Sequence, residues 1–214
     1  MSDRSAGRLR DISIVVRTGT PEWPGDTPFC CRWPSKLAGG ATVNVSALEM
    51  SPHVGTHADA PLHVRDGQPA SESLSTEAFV GPALVIGLEE ATGPVDKEAL
   101  APRLPRRVER LLLRTGRTIA DGTFPDAWPA LTPACVRWLA GRGLRLLGVD
   151  APSVDDRESK TLDTHHALFE AGASILENLD LRGVADGPYE LIALPLRIAG
   201  LDAAPVRAVL VEAV

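Results

Sequence analysis

The most informative segment of the chain is Ser51-Pro-His53-Val-Gly55-Thr56-His57-Ala-Asp59-Ala-Pro61-Leu-His63. It places three histidines and one aspartate within eleven positions, although the whole chain of 214 residues has only 5 histidines. Neutral imidazole nitrogen and carboxylate oxygen are the ligands that zinc and its first-row neighbours favour in proteins. This concentration predicts a metal site, and a hydrolytic metal is the first hypothesis.

The spacing within this stretch predicts a turn followed by a short extended segment. A fully extended chain would separate the Cα atoms of His53 and His57 by about 13 Å, too far for both to reach one ion. Gly55 lies midway and can adopt the positive φ that a tight turn requires. His57 and Asp59 are two apart, so in an extended segment they point the same way and suit a shared ion. A proline intervenes before His63, which we expect to face the site without binding the metal.

A second polar concentration, between residues 148 and 166, contains the other two histidines, His165 and His166. A short helix that stops at Gly172 follows, and then an apolar, strand-like run that contains Glu177. A carboxylate in such a run lies either on a solvated face or next to a cation, because burial without a partner is unfavourable. Taken alone, Glu177 is better explained by the solvated face.

These motifs together resemble the cyclase-like metal-dependent hydrolases and, among them, the bacterial kynurenine formamidases. The resemblance runs from about residue 10 to the C-terminus. It rests on four segments: His53-x-Gly55-Thr56-His57-x-Asp59-x-Pro61-x-His63, the preceding Trp23-Pro24-Gly25-Asp26, and the following Asp163-x-His165-His166 and Ile175-Leu-Glu177-Asn178.

The resemblance implies two divalent metal ions, usually zinc, and hydrolysis of N-formyl-L-kynurenine to L-kynurenine and formate by a homodimer. It implies these roles: His53, His57 and Asp59 bind the first ion, Asp59 and Glu177 bridge, His165 binds the second ion, His63 is the catalytic acid and base, and Trp23 contacts the aromatic substrate. Spacing alone cannot choose between His165 and His166, so that choice comes from the family pattern. Manganese or cobalt can use the same ligands.

Several alternatives remain at this point. The chain can be a related hydrolase of another small amide, ester or lactone, or a non-catalytic protein that a metal stabilises. Trp23 can equally be a core tryptophan. A cysteine nucleophile requires a thiolate beside a base, and the adjacent Cys30 and Cys31 lie in a strand-like run in which one of them must point away.

Composition predicts a single domain, residues 1–214, with a flexible segment at residues 1–9. The chain has 28 acidic and 22 basic residues, a net charge of −6, and dispersed cations, so we expect no nucleic-acid partner. No apolar run approaches the roughly 20 residues of a membrane helix, and the N-terminus does not resemble a signal peptide. We therefore expect a cytoplasmic protein without membrane contact, whose three cysteines are reduced.

Hydrophobic patterning predicts a mixed α/β fold with more strand than helix. The predicted strands cover residues 11–16, 42–48, 82–86, 110–114, 144–149, 190–194 and 206–211, and the predicted helices 96–101, 132–141 and 162–171. The family resemblance adds the architecture, a cyclase-like fold with a β-barrel-like centre flanked by helices.

Overall fold

The computed structural model describes residues 7–212. Its eleven strands are β1 (Leu9–Asp11), β2 (Cys30–Ser35), β3 (Val45–Glu49), β4 (His57–Asp59), β5 (Val80–Gly87), β6 (Arg110–Arg114), β7 (Leu146–Val149), β8 (Ser174–Glu177), β9 (Gly187–Ile192), β10 (Ala203–Pro205) and β11 (Val209–Val211). Its helices are α1 (Lys97–Leu100), α2 (Pro133–Ala140) and α3 (Asp163–Glu170), with short 3-10 turns between elements. Residues 1–6 of the segment expected to be flexible lie outside the described residues, and β1 already begins at Leu9.

Nine of the strands form one curled sheet in the order β1-β11-β9-β5-β6-β7-β8-β4-β10. Strands β5 to β8 are parallel, and α1, α2 and α3 connect them in turn, whereas the other pairs in this sheet are antiparallel. Strands β2 and β3 form a separate antiparallel pair. The predicted mixed α/β fold with a barrel-like centre and flanking helices is therefore confirmed.

The central parallel strands are buried on both faces. Leu111 and Leu113 of β6 belong to the core cluster that contains the helix residues Val136 and Leu168. Leu112, between them, belongs to the cluster on the other face of the sheet. Covering both faces explains why these strands have continuous apolar sequences without polar alternation.

Most predicted elements are present, with shifted ends. The prediction for 110–114 matches β6, and helix α2 begins as predicted, since Thr132 Oγ1 accepts the N–H of Cys135 at 3.2 Å. The strand predicted at 11–16 is wrong beyond Asp11, because the chain there forms only an isolated bridge between Ser13 and Leu179. Among residues 7–212, no helix has the length and hydropathy needed to cross a membrane.

Candidate metal centre

The pairing of β4 with β8 places three of the predicted ligands on one face of the sheet. His57 lies directly opposite Glu177, and Asp59 is two residues further along β4. Directly paired residues share a face, and residues two apart in a strand do so as well. The intervening Ala58 and Leu176 pack into the core on the other face. Glu177 is buried, so the solvated face that its sequence context favoured is wrong.

A turn at Gly55 brings His53 to the same place, as the spacing predicted. Gly55 has a φ of +76°, and a Cβ there would lie 2.5 Å from a methyl group of Val16, so a larger residue would be both strained and crowded. His53 Nδ1 lies 3.1 Å from His57 Nε2. The other ring nitrogen of His57, Nδ1, donates to the carbonyl of Gly55 at 2.9 Å, which fixes the ring.

Asp59 lies between these two imidazoles. Its Oδ1 is 3.2 Å from His53 Nδ1 and 3.3 Å from His57 Nε2, yet it is fully buried and forms no hydrogen bond. Four ligands at 2.0–2.2 Å from a tetrahedral ion lie about 3.3–3.6 Å from each other. The observed spacing comes within a few tenths of an ångström of that value. The three residues therefore fit a divalent cation, which would also satisfy the buried carboxylate oxygen.

A second cluster uses the other oxygen of Asp59. His165 Nε2 lies 3.2 Å from Asp59 Oδ2 and 3.4 Å from Glu177 Oε1. The remaining oxygen of Glu177, Oε2, is 3.4 Å from His57 Nε2. Both carboxylates thus face both clusters, the arrangement expected of bridging ligands. The structure brings His165 into this cluster, whereas His166 is in neither cluster.

Carboxylates outside the two clusters orient the imidazoles. His165 Nδ1 donates to Asp155 Oδ2 at 2.6 Å, and His53 Nε2 donates to Asp202 Oδ2 at 3.0 Å. These bonds, like that of His57 to a carbonyl, engage the outer nitrogen of each ring and leave the inner nitrogen facing the cluster. Metal-binding histidines in proteins are held in this way.

The sequence analysis did not identify Asp155, although it organises the start of α3. Its Oδ1 accepts the N–H of Thr164 at 2.9 Å, and its Oδ2 accepts the N–H of His165 at 3.0 Å. Leu162, at the N-cap, has a φ of +50° and no side chain that could cap. The lack of a capping residue next to the predicted helix was the available signal that a cap comes from elsewhere.

The electrostatics of the site favour positive charge. Burial alone would lower the pKa of His57, but the adjacent Asp59 and Glu177 outweigh it and raise that pKa to about 10. Burial alone would also lower the pKa of His53. Its hydrogen bonds to Asp202 and Asp59 outweigh that effect and raise the pKa to about 9. The same carboxylates that attract protons to these rings would attract a metal ion, which competes with those protons for the ring nitrogens.

His63 lies at the wall of a cleft of about 790 Å³ that opens onto the clusters through His53, His165 and Glu177. Its ring centroid is 4.3 Å from that of His53, and its Nδ1 donates to Asp202 Oδ2 at 3.3 Å. Its side chain is 29% exposed. His63 therefore faces the cleft beside the clusters. Asp202, which the sequence analysis missed, links it to His53.

An aromatic group forms another part of the cleft. Trp23 and Phe124 line it, and Trp23 packs edge-on against Phe124 at 5.5 Å and against Trp128 at 6.0 Å between ring centroids. Trp128 is buried and donates its indole N–H to the carbonyl of Asp155 at 2.7 Å. Trp23 is 37% exposed, so it is a cleft residue and the alternative of a core tryptophan is wrong.

The cysteines lie away from this site. Cys30 and Cys31 are exposed in β2, Cys135 lies on the buried face of α2, and the cleft lining includes none of them. All three are free thiols. Nothing in the geometry supports a cysteine nucleophile.

The chain is similar to known proteins along most of its length. A family model described as "Putative cyclase" matches residues 10–156. The kynurenine formamidases of Bordetella avium (strain 197N) and Bordetella pertussis (strain Tohama I) are each 45% identical over 205 residues, which cover 96% of this chain and 98% of theirs.

Solved structures show the same fold over nearly the whole chain. One described as a potential metal-dependent hydrolase with cyclase activity has a TM-score of 0.82 at 28% identity and covers 96% of this chain and 98% of its own. Isatin hydrolase A from Labrenzia aggregata, bound to benzyl benzoate, has a TM-score of 0.79 at 26% identity and covers 97% and 95%. The chain belongs to the cyclase family and, within it, to the group of the bacterial kynurenine formamidases.

Proposed function

We propose that this protein is an arylformamidase that hydrolyses N-formyl-L-kynurenine to L-kynurenine and formate, a step of tryptophan degradation. The observation that carries the proposal is a pair of ligand clusters that share Asp59 at the base of a cleft with an aromatic wall. The similarity to formamidases along 96% of the chain supplies the substrate.

His53, His57 and Asp59 would hold one divalent ion, and Asp59, Glu177 and His165 would hold a second. The ligand set of imidazole nitrogens and carboxylate oxygens suits zinc. Ions held by these residues would supply Lewis acidity for the hydrolysis of an amide at neutral pH. His53, His165 and Glu177 line the cleft, so a substrate can reach the clusters. That access separates this arrangement from a purely structural metal site, whose coordination sphere is closed by protein ligands.

His63 is the residue proposed to transfer the proton. Breaking the C–N bond of a formanilide releases an aromatic amine, whose nitrogen must receive a proton. The Nδ1–H of His63 is engaged by Asp202, so its Nε2 is the atom that exchanges a proton with the substrate and with water. Asp202 holds the ring in this tautomer.

Trp23 is proposed to bind the aryl ring of the substrate. Its own contacts with Phe124 and Trp128 are edge-on and fix the orientation of the indole. Because more than a third of the residue is exposed and it lines the cleft, its surface is available to a flat substrate.

The protein is further proposed to act as a cytoplasmic homodimer. The pair β2–β3 exposes large apolar side chains, with Trp33 49%, Val45 46% and Leu48 67% exposed. Apolar surface on a projecting hairpin is typical of a protein interface. The free cysteines suit a reducing compartment. Light scattering of the wild type and of a Leu48→Glu variant tests the dimer, which the charge should weaken.

Isatin hydrolysis is the second candidate, since an isatin hydrolase shares the fold at 26% identity. Isatin is a cyclic aryl amide, and the same clusters could activate it. The higher identity to formamidases favours the open-chain formamide. The two activities differ in substrate shape, so a panel of formylkynurenine, isatin and a simple lactone separates them.

The decisive experiment measures formylkynurenine hydrolysis by enzyme reconstituted with zinc, manganese or cobalt, then after chelation, and again after metal is restored. We expect turnover that follows metal content, with formylkynurenine the best substrate of the panel. Turnover that is insensitive to complete metal removal would contradict the proposal. So would a clear preference for isatin or the lactone.

A further inference from the structure

The cleft contains two cations that the proposed chemistry does not use. Lys160 and Arg157 both line it. Within residues 7–212, Lys160 forms no ion pair and no side-chain hydrogen bond, whereas Arg157 pairs with Asp126 at 3.1 Å. An ammonium group without a protein partner, at the wall of a substrate cleft, is available to an anion from solution.

Both cations belong to one tightly turned loop between β7 and α3. The N–H of Ser159 donates to the carbonyl of Asp156 at 3.0 Å, and the N–H of Glu158 donates to Asp156 Oδ1 at 2.9 Å. Ser159 Oγ in turn accepts the N–H of Leu162 at 3.1 Å, at the start of α3. The loop is therefore tied to the helix that presents His165, and both of its cations line the same cleft as that histidine.

Arg157 also adjoins the aromatic wall. Its guanidinium carbon lies 5.5 Å from the ring centroid of Phe124, the residue against which Trp23 packs. All of its hydrogen bonds come from Nη1, to the carbonyls of Pro125 and Asp126 and to the Asp126 carboxylate. Nη2 and Nε remain for a ligand, and guanidinium donors suit carboxylates. The hydrogen bonds of Arg157 also join two loops. Lys160, which has no such structural role, is therefore the stronger candidate for binding an anion.

We propose that Lys160, with Arg157 beside it, binds a carboxylate on the side chain of the substrate, so that the cleft selects aryl amides that carry an anionic group. This inference rests on the proposed function and specifies how the cleft recognises its substrate. The amino-acid side chain of formylkynurenine provides such a carboxylate, which the aryl amide isatin lacks. Glu22 and Asp26 also line the cleft, and their carboxylates suit the ammonium group of the same side chain.

The test compares three substrates with the same formanilide. They are formylkynurenine, the corresponding acid without the amine, 4-(2-formamidophenyl)-4-oxobutanoate, and the neutral 2'-formamidoacetophenone. The variants are Lys160→Gln and Arg157→Gln. Lys97→Gln is the matched control, because Lys97 is an exposed cation on α1 that pairs with Glu98 and is not part of the cleft lining.

The readout is the kcat/KM of each acidic substrate divided by the kcat/KM of the neutral ketone. We expect Lys160→Gln to lower this ratio by about 10- to 100-fold, mainly because KM for the acids rises. That is the range expected for a lost charge-assisted hydrogen bond. Arg157→Gln should lower the ratio less, and Lys97→Gln should leave the wild-type ratio.

A ratio within about twofold of wild type in Lys160→Gln would overturn the inference, and so would equal losses on all three substrates, which would indicate a structural role for the loop. Binding of L-kynurenine, measured by calorimetry, gives a readout without turnover and should weaken by a similar factor in Lys160→Gln. A wild-type enzyme that hydrolyses none of the three would refute the proposed function, while the calorimetry would still decide the role of Lys160.

Discussion

Asp59→Asn is the substitution that most directly tests the metal centre. Asp59 takes part in both clusters, so its loss should remove both ions and abolish activity. An ion present at 100 times its dissociation constant stabilises the fold by about 2.7 kcal/mol. For a chain of this length, that corresponds to a rise in Tm of about 5–11 °C per ion. Chelation should therefore lower the Tm of the wild type by at least about 5 °C, and that of Asp59→Asn by less than about 2 °C.

The chelated proteins provide an internal control. Without metal, Asp59 is the buried counter-charge of the neighbouring imidazoles, which hold its pKa well below the usual range, and a neutral amide cannot replace that charge. Chelated Asp59→Asn should therefore melt below the chelated wild type at neutral pH but still unfold in one cooperative transition, which excludes simple misfolding. Metal analysis and calorimetry on the same samples decide the outcome. An Asp59→Asn protein that retains two ions per chain and the full chelation shift would refute the shared role of Asp59.

Three further predictions address the remaining residues. His63→Ala should retain its metal but lose roughly 10²–10⁴ in turnover; metal loss in this variant would make His63 a ligand. Trp23→Ala should raise KM for formylkynurenine more than for a small aliphatic formamide, and equal effects on the two substrates would remove the stacking role. Burial raises the pKa of the Cys135 thiol to about 12, so a thiol reagent at pH 8 should modify the exposed Cys30 and Cys31, spare Cys135 until the protein unfolds, and leave turnover intact. Loss of activity in step with thiol modification would instead support a cysteine nucleophile.

The local part of the site was predictable because its geometry follows from a few residues of chain. The two-residue spacing of His57 and Asp59 sets their common face in any extended strand. The turn at Gly55 followed from the distance that two imidazoles must close. The apolar runs predicted the central strands for a similar reason, since a strand covered on both faces needs an unbroken hydrophobic sequence.

Long-range pairing was not predictable from the residues alone. Glu177 looks like a surface residue within its own strand, and only the pairing of β8 with β4 places it opposite His57. Asp202 is 139 positions from His63, and its sequence surroundings contain no motif. The family resemblance supplied Glu177 because it carries information about tertiary contacts. It did not supply Asp155 and Asp202, which form hydrogen bonds to His165 and His53 from outside the clusters.

Asp155 contributes both to the fold and to the candidate metal centre. One of its oxygens accepts the N–H of Thr164, and the other accepts both the N–H and the Nδ1–H of His165. Leu162, at the N-cap, offers no capping side chain and lies in the left-handed region, so the start of α3 depends on this distant carboxylate. The same three bonds set the rotation of the His165 ring toward Asp59. A helix that began elsewhere would move the ring away from the second cluster. The acid that starts the helix is therefore also the acid that orients the proposed ligand, so we expect the free energy of forming α3 to be linked to that of binding metal at His165.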